Sequence, residues 1–367
     1  MKKPGIIFLG FFLLFSFLGC MNRGVIKIGY VGALTGPGAD LGTNGRNGLL
    51  IAFTPQAQKD VQNHTVELLF RDDEDNRDRA LAIFKELDSL DCKIIISQQT
   101  SGAAVDAFSY ANDHGILVLS STVSSSTWDG KDDNILRIMT SNYDQGVALG
   151  DAALEDGHKR IYSIGVENNK PFADSILAGA AKRFQQGGGV IVGSEYLSEV
   201  NSTTLDLLVK RLKMLNLDAI APLVLSTNDA ALLAKQMEKH NYNVPVYVSA
   251  WTLSGDLPAA GGNSVNNFRA LNFMEMESQQ SKFRMLVEEY TAIYTRSPQF
   301  PSFLAYEAGT VLLETLRTSQ DLSPQGLKKF ILETKTFKGL QSDLEIDKYG
   351  DCKRKLFLYR IVGGKLV

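Results

Sequence analysis

Val25-Ile26-Lys27-Ile28-Gly29-Tyr30-Val31-Gly32-Ala33-Leu34-Thr35-Gly36 opens the folded part of this chain. An apolar run that ends in glycines is the mark of a buried strand feeding a loop. The spacing predicts a strand over 25–34, a Gly-rich loop over 35–42, a helix over 45–59 and a second strand over 65–70. Strand, helix and strand in that order make a parallel pair with a crossover helix.

The same alternation continues outward from this stretch. Apolar residues at 80, 83, 84, 87 and 90 give residues 77–90 one buried helical face. Strands at 93–96 and 116–119 bracket a helix at 102–112, and a Ser/Thr-rich loop follows at 120–127. The rhythm then restarts. Strands at 134–139, 160–165, 190–196, 219–225 and 244–248 alternate with helices at 144–156, 172–185, 203–215 and 229–241. The expected fold class is α/β, with two doubly wound Rossmann-like lobes.

Helical patterns at 279–295, 302–319 and 325–334 bring no sheet of their own, so the chain is expected to cross back and pack them on the first lobe. A turn at 347–351 then separates strands near 344–346 and 355–362. The crossings make a multi-strand hinge. They divide the chain into a first lobe of 25–139 plus about 273–340 and a second of 140–272 plus about 341–367. Open α/β sheets bind ligands at the carboxyl ends of their strands, and two lobes can turn both sets of ends to one cleft.

The chain has 367 residues with a formal charge of −3, and no run of like charge stands out. Nucleic acid is excluded as a partner, since phosphate neutralisation needs clustered Lys and Arg. Three cysteines without C-x-x-C spacing and four histidines leave no metal site, and no cofactor is expected. G-x-S-x-G is absent, and no G-x-G-x-x-G opens a helix after the first strand. Neither a hydrolase nor a dehydrogenase on this scaffold is therefore expected.

Residues 1–20 read as an export signal. Lys2 and Lys3 precede an apolar stretch, Ile6 to Leu18, which covers ~20 Å as a helix, short of the ~30 Å hydrocarbon core. It ends in Phe17-Leu18-Gly19-Cys20, which resembles a bacterial lipobox, with Phe17 and Leu18 standing where a leucine and a small residue are usual. That resemblance implies lipidation of Cys20 and a membrane tether. Cys92 and Cys352 are expected as free thiols, the first beside an apolar run and the second in a polar turn.

Ile26 to Gly36, Arg71-Asp72-Asp73, Gly115-Ile116-Leu117-Val118-Leu119-Ser120 and Asp347 to Asp351 together carry a further likeness. In order and spacing over roughly 25–362 the sequence resembles a type I periplasmic binding protein of the branched-chain amino acid class. The resemblance implies capture of an amino acid or other carboxylate-bearing solute by hinge closure, and delivery to an ABC importer through its permease subunits. It also implies a periplasmic or cell-surface monomer. A sensor of the same fold signalling to a membrane receptor, and an envelope lipoprotein binding a protein partner, are the alternatives.

By the same resemblance, Leu41 stands where relatives carry an aromatic side chain. Thr100 or Ser101, with Ser101 preferred, fits a carboxylate receptor at a helix start, and either also fits a helix N-cap. Val123 offers backbone, and Ser124 hydroxyl and amide. In the second lobe, Phe172 and Ser226 fall at aromatic positions of relatives. Ala250 stands near the place of the family's acidic partner for an ammonium, with no carboxylate before Asp256. Trp251 beside it reads as a flat apolar wall, a cation–π face or core packing.

Overall fold

The computed structural model describes residues 24–36, 38–59 and 61–367. The export signal and Cys20, with the lipidation expected there, lie outside the described residues. Among the described residues no helix is long and apolar enough to cross a membrane.

Strands β1 (Gly24–Gly32), β2 (His64–Asp72), β3 (Ile94–Gln98), β4 (Leu117–Ser120) and β5 (Ile135–Arg137) form a parallel sheet in the order β2-β1-β3-β4-β5. Helices α1 (Ala39–Ala52), α2 (Pro55–Lys59), α3 (Arg77–Ser89) and α4 (Ser101–Asp113) connect them. Ile28, Tyr30, Ile96 and Leu119 join one apolar cluster, while Val31, Ile95 and Val118 join another with Phe84 and Phe108. Burial on both faces is what the unbroken run 94–96 requires.

The second lobe repeats the plan. Helices α5 (Asn142–Glu155), α6 (Lys170–Gln186), α7 (Ser202–Lys213), α8 (Thr227–Lys239) and α9 (Leu257–Gly261) accompany strands β6 (Arg160–Val166), β7 (Val190–Leu197), β8 (Ala219–Leu223), β9 (Val246–Val248) and β10 (Phe268–Asn272). The short strand β10 was not anticipated. It follows a loop of small polar residues and pairs in parallel with β9.

Helices α10 (Ser281–Tyr294), α11 (Phe300–Thr318) and α12 (Pro324–Thr334) then return to the first lobe. Ala308, Val311 and Leu312 of α11 join the cluster of Ile28 and Ile96. A Cβ on Gly48 would lie 2.0 Å from the Ser302 carbonyl oxygen, so glycine lets α1 and α11 touch.

An antiparallel sheet of β11 (Thr336–Lys338), β12 (Asp343–Ile346) and β13 (Cys352–Lys353) follows. Its Leu344, Ile346 and Cys352 also belong to the first-lobe cluster. Residues 343–353 thus pack with the first lobe and not with the second, where the expected boundary near 340 had put them. Only β14 (Phe357–Val362) and β15 (Lys365–Leu366) extend the second sheet, in the order β15-β14-β10-β9-β8-β6-β7.

The chain passes between the lobes at 138–141, 273–280 and 354–356. The outer two passages are tied together: the Arg354 amide donates to Thr140 Oγ1 at 2.5 Å, and Arg354 Nη1 donates to the Ile138 carbonyl at 3.0 Å. The Arg354 guanidinium also pairs with Glu307 of α11, whose other oxygen accepts from the Leu340 amide at 2.7 Å. Gln341 and Glu275 exchange bonds of 2.9 and 2.7 Å, which fasten the middle passage. Glu307 is 1% exposed, and removing one partner of such a pair leaves a buried charge uncompensated. Glu307→Ala is expected to lower the unfolding free energy by about 3–5 kcal/mol, measured by urea titration; a loss below about 1 kcal/mol would contradict the role given to this pair.

Candidate functional site

A closed cavity lies between the lobes, at the carboxyl ends of β3 and β4 on one side and β9 on the other. It measures about 10 Å3, room for about one water. A solute of amino-acid size therefore requires the lobes to part. Two open grooves of about 570 Å3 each lie elsewhere, one along α10 and α11 and one behind the hinge. Neither sits where the strand ends of both sheets meet.

The first lobe contributes Leu41, Gln99, Thr100, Ser101, Thr122 and Phe300. Leu41 sits in the first turn of α1 rather than in a loop, because that helix begins at Ala39. Thr100 is the N-cap of α4: its Oγ1 accepts from the Ala103 amide at 3.2 Å and donates to Asp75 at 2.5 Å. Its hydroxyl is thereby committed within the protein. Ser101 differs. Its Oγ accepts from the Ser124 and Ser125 amides at 3.4 and 3.3 Å, which leaves its hydrogen to donate. The amide of Gly102, next along α4, donates to Asn169 Oδ1 of the second lobe at 2.9 Å.

Phe172, Ala250 and Trp251 of the second lobe also line the cavity. Phe172 and Trp251 meet edge to face with ring centroids 5.6 Å apart. Phe273, from the middle passage, and Phe300 form a second aromatic pair at 5.5 Å. Met139, Gln145 and Asn169 complete the lining.

Three expected residues do not reach the cavity. Val123 is buried in the first-lobe core, and its amide donates to Ser120 Oγ at 3.0 Å. Ser124 is buried, and its Oγ donates to Asn142 Oδ1 at 2.6 Å. Ser226 caps α8, accepting from the Asp229 amide and donating to the Asp229 carboxylate at 2.8 Å. In each case partners within the protein take up polar groups that the resemblance would give to a ligand.

Sequence reasoning missed Gln99, Thr122, Met139, Gln145, Asn169, Phe273 and Phe300. Met139 and Phe273 follow strands at crossings, where a side chain can border both lobes. Gln145 stands on the buried stripe of α5 with Leu149 and Ala152, and a polar residue on such a stripe is a readable signal.

None of the described residues lining the cavity is ionisable. Asp73 and Asp75 lie behind Gln99 and Thr100, which donate to them. Burial pushes both carboxyls up, Asp75 to about 6, despite those hydrogen bonds. Cys92 and Cys352 are free and buried, and burial pushes both thiols up to about 11.

Residues 25–365 match the model of a family described as periplasmic binding protein. A search of curated proteins returned no match. Similar solved structures include a leucine-binding protein of Thermotoga maritima, with TM-score 0.84, 18% identity and coverage of 93% of this chain and 97% of that one. A solute-binding protein of an ABC transporter from R. palustris, in complex with benzoate, has TM-score 0.83 and 19% identity, covering 94% of this chain and 95% of that one. Another from Rhodopseudomonas palustris BisB5, in complex with 3,4-dihydroxybenzoic acid, has TM-score 0.82 and 18% identity, covering 93% and 95%. The chain belongs to the periplasmic binding protein family, a family of solute-binding proteins and not of enzymes, and its fold is the two-lobed type I arrangement.

The lobes meet backbone against backbone at Gly102, where a Cβ would lie 2.4 Å from the Asn168 carbonyl oxygen. Inside a helix, alanine is otherwise favoured over glycine by about 0.8–1 kcal/mol. Gly102→Ala is therefore expected to keep or raise the melting temperature while weakening solute binding at least about tenfold. Calorimetric titration beside a melting curve checks this; unchanged affinity would show that closure is not needed.

Proposed function

We propose that this chain is an extracytoplasmic receptor that captures a small organic carboxylate with a flat apolar body and delivers it to an ABC importer. The observation that carries this reading is the make-up of the cavity. A serine hydroxyl with its hydrogen to give stands at the N-terminus of α4, two aromatic pairs with Leu41, Met139 and Ala250 form the apolar walls, and no ionisable side chain among the described residues lines it. A hydroxyl donor reinforced by a helix dipole suits a carboxylate. Phe172, Trp251, Phe273 and Phe300 suit a ring.

A zwitterionic amino acid fits less well, because its ammonium would be buried without a counter-charge. Similar structures are complexed both with ring acids, namely benzoate, 4-hydroxybenzoate and 3,4-dihydroxybenzoic acid, and with leucine or isoleucine; the uncharged lining is what favours the ring acids here. Ligand contacts to both lobes exist only in the closed state, so binding shifts the open–closed equilibrium toward it. In this reading the leader exports the chain, and a lipid on Cys20 anchors it as a monomer at the membrane that holds the permease subunits.

Thermal unfolding of the chain from Asn22 onward, against aromatic carboxylates, aliphatic amino acids, amides and betaines, tests the ligand class. An aromatic acid at 100 times its dissociation constant should add about 2.7 kcal/mol of stability, with smaller shifts from amino acids. A shift from leucine or isoleucine alone would overturn the ligand class, and no shift from any solute would overturn capture itself.

A further inference from the structure

Gln145 of α5 is 0% exposed and lines the interlobe cavity. Its Nε2 donates to Asn142 Oδ1 at 2.7 Å, and the same oxygen accepts from Ser124 Oγ at 2.6 Å. With the amide nitrogen held in this way, Oε1 remains as a buried acceptor with no donor among the described residues, as the neighbouring Asn142 Nδ2 remains a donor without an acceptor. A buried amide oxygen is costly to leave unpaired, and polar groups so placed in an apolar pocket orient a ligand.

We infer that Gln145 is a specificity-determining residue whose Oε1 accepts a hydrogen bond from an uncharged hydroxyl or amino group on the ring of the captured acid. This rests on the aromatic-carboxylate reading above. The donor is uncharged because no carboxylate among the described residues lines the cavity to offset an ammonium. Ser101 belongs to the first lobe and Gln145 to the second. A hydroxylated ring acid therefore engages one lobe through its carboxylate and the other through its hydroxyl, and both bonds form only on closure. An acid without the ring donor leaves Oε1 unpaired in the closed state, so closure itself discriminates. Asn142 acts as a positioning residue, since it accepts from Gln145 and does not line the cavity, and Ser124 donates to the same Asn142 oxygen.

Calorimetric titration of the intact protein with hydroxybenzoates, aminobenzoates, fluorobenzoates and benzoate tests this. Hydroxyl and amino groups supply a donor, whereas fluorine is close to hydroxyl in size and supplies none. The wild type is expected to prefer the donor-bearing acids by at least about tenfold, and Gln145→Leu to compress that preference to within about threefold. Asn142→Leu should reduce the preference without removing it. Equal affinity of the wild type for all four classes would overturn the inference while leaving the aromatic-acid reading in place. Full preference retained in Gln145→Leu would overturn it too. Failure of every one of these acids to bind would overturn the aromatic-acid reading and the inference with it.

Discussion

Two buried arginines, Arg137 at the end of β5 and Arg354 in the last passage, hold the hinge on which the site depends. Arg137 donates to the Ser125 carbonyl at 3.0 Å and to Asp351 at 2.6 and 2.9 Å, and it pairs with Asp129 at 2.6 Å. Asp129 in turn accepts from Ser141, the N-cap of α5, at 2.6 Å. One guanidinium therefore joins the cleft loop after β4, the 347–351 turn and the start of the second lobe. Arg354 ties the passages at 138–141 and 354–356 to each other and, through Glu307, to α11. Buried ion pairs add little net stability once desolvation is counted. Their contribution here is geometric, since each demands one relative position of three chain segments.

The cavity's chemistry follows from what surrounds it. The polar loops after β3 and β4 use most of their hydrogen-bonding groups on one another, which leaves few directed at a solute. The Ser101 hydroxyl and the Gln145 amide oxygen are the two groups described above as free to bind a solute. Four aromatic side chains, with Leu41, Met139 and Ala250, supply the cavity's apolar wall. An uncharged lining around a helix N-terminus favours an anion with an apolar body over a zwitterion.

Much of this was legible in the sequence because it is written in periodicity. The apolar runs at 25–34 and 94–96 and the helical spacing at 77–90 lead to the first sheet, and the restart after residue 134 leads to the second. The strand at 268–272 was not legible, since five residues after a polar loop carry too little pattern. Nor was the packing of 343–353, which depends on where Leu344 and Cys352 find a core. At the site, Ser101 and Trp251 could be located from their places after strands. Ser226 could not be separated from Ser101, because a serine that caps a helix and one that faces a solute share one local sequence signal, and Ser124 is taken up by Asn142, a partner eighteen residues away. Phe273 and Gln145 become site residues only when the lobes meet, a contact that no local window contains.

The central claim is that binding closes two lobes about a hinge. Small-angle X-ray scattering of the protein with and without a saturating aromatic carboxylate tests it most directly. The account predicts that the radius of gyration falls on binding as the open population is drawn to the closed one. A scattering profile unchanged at full occupancy would contradict it.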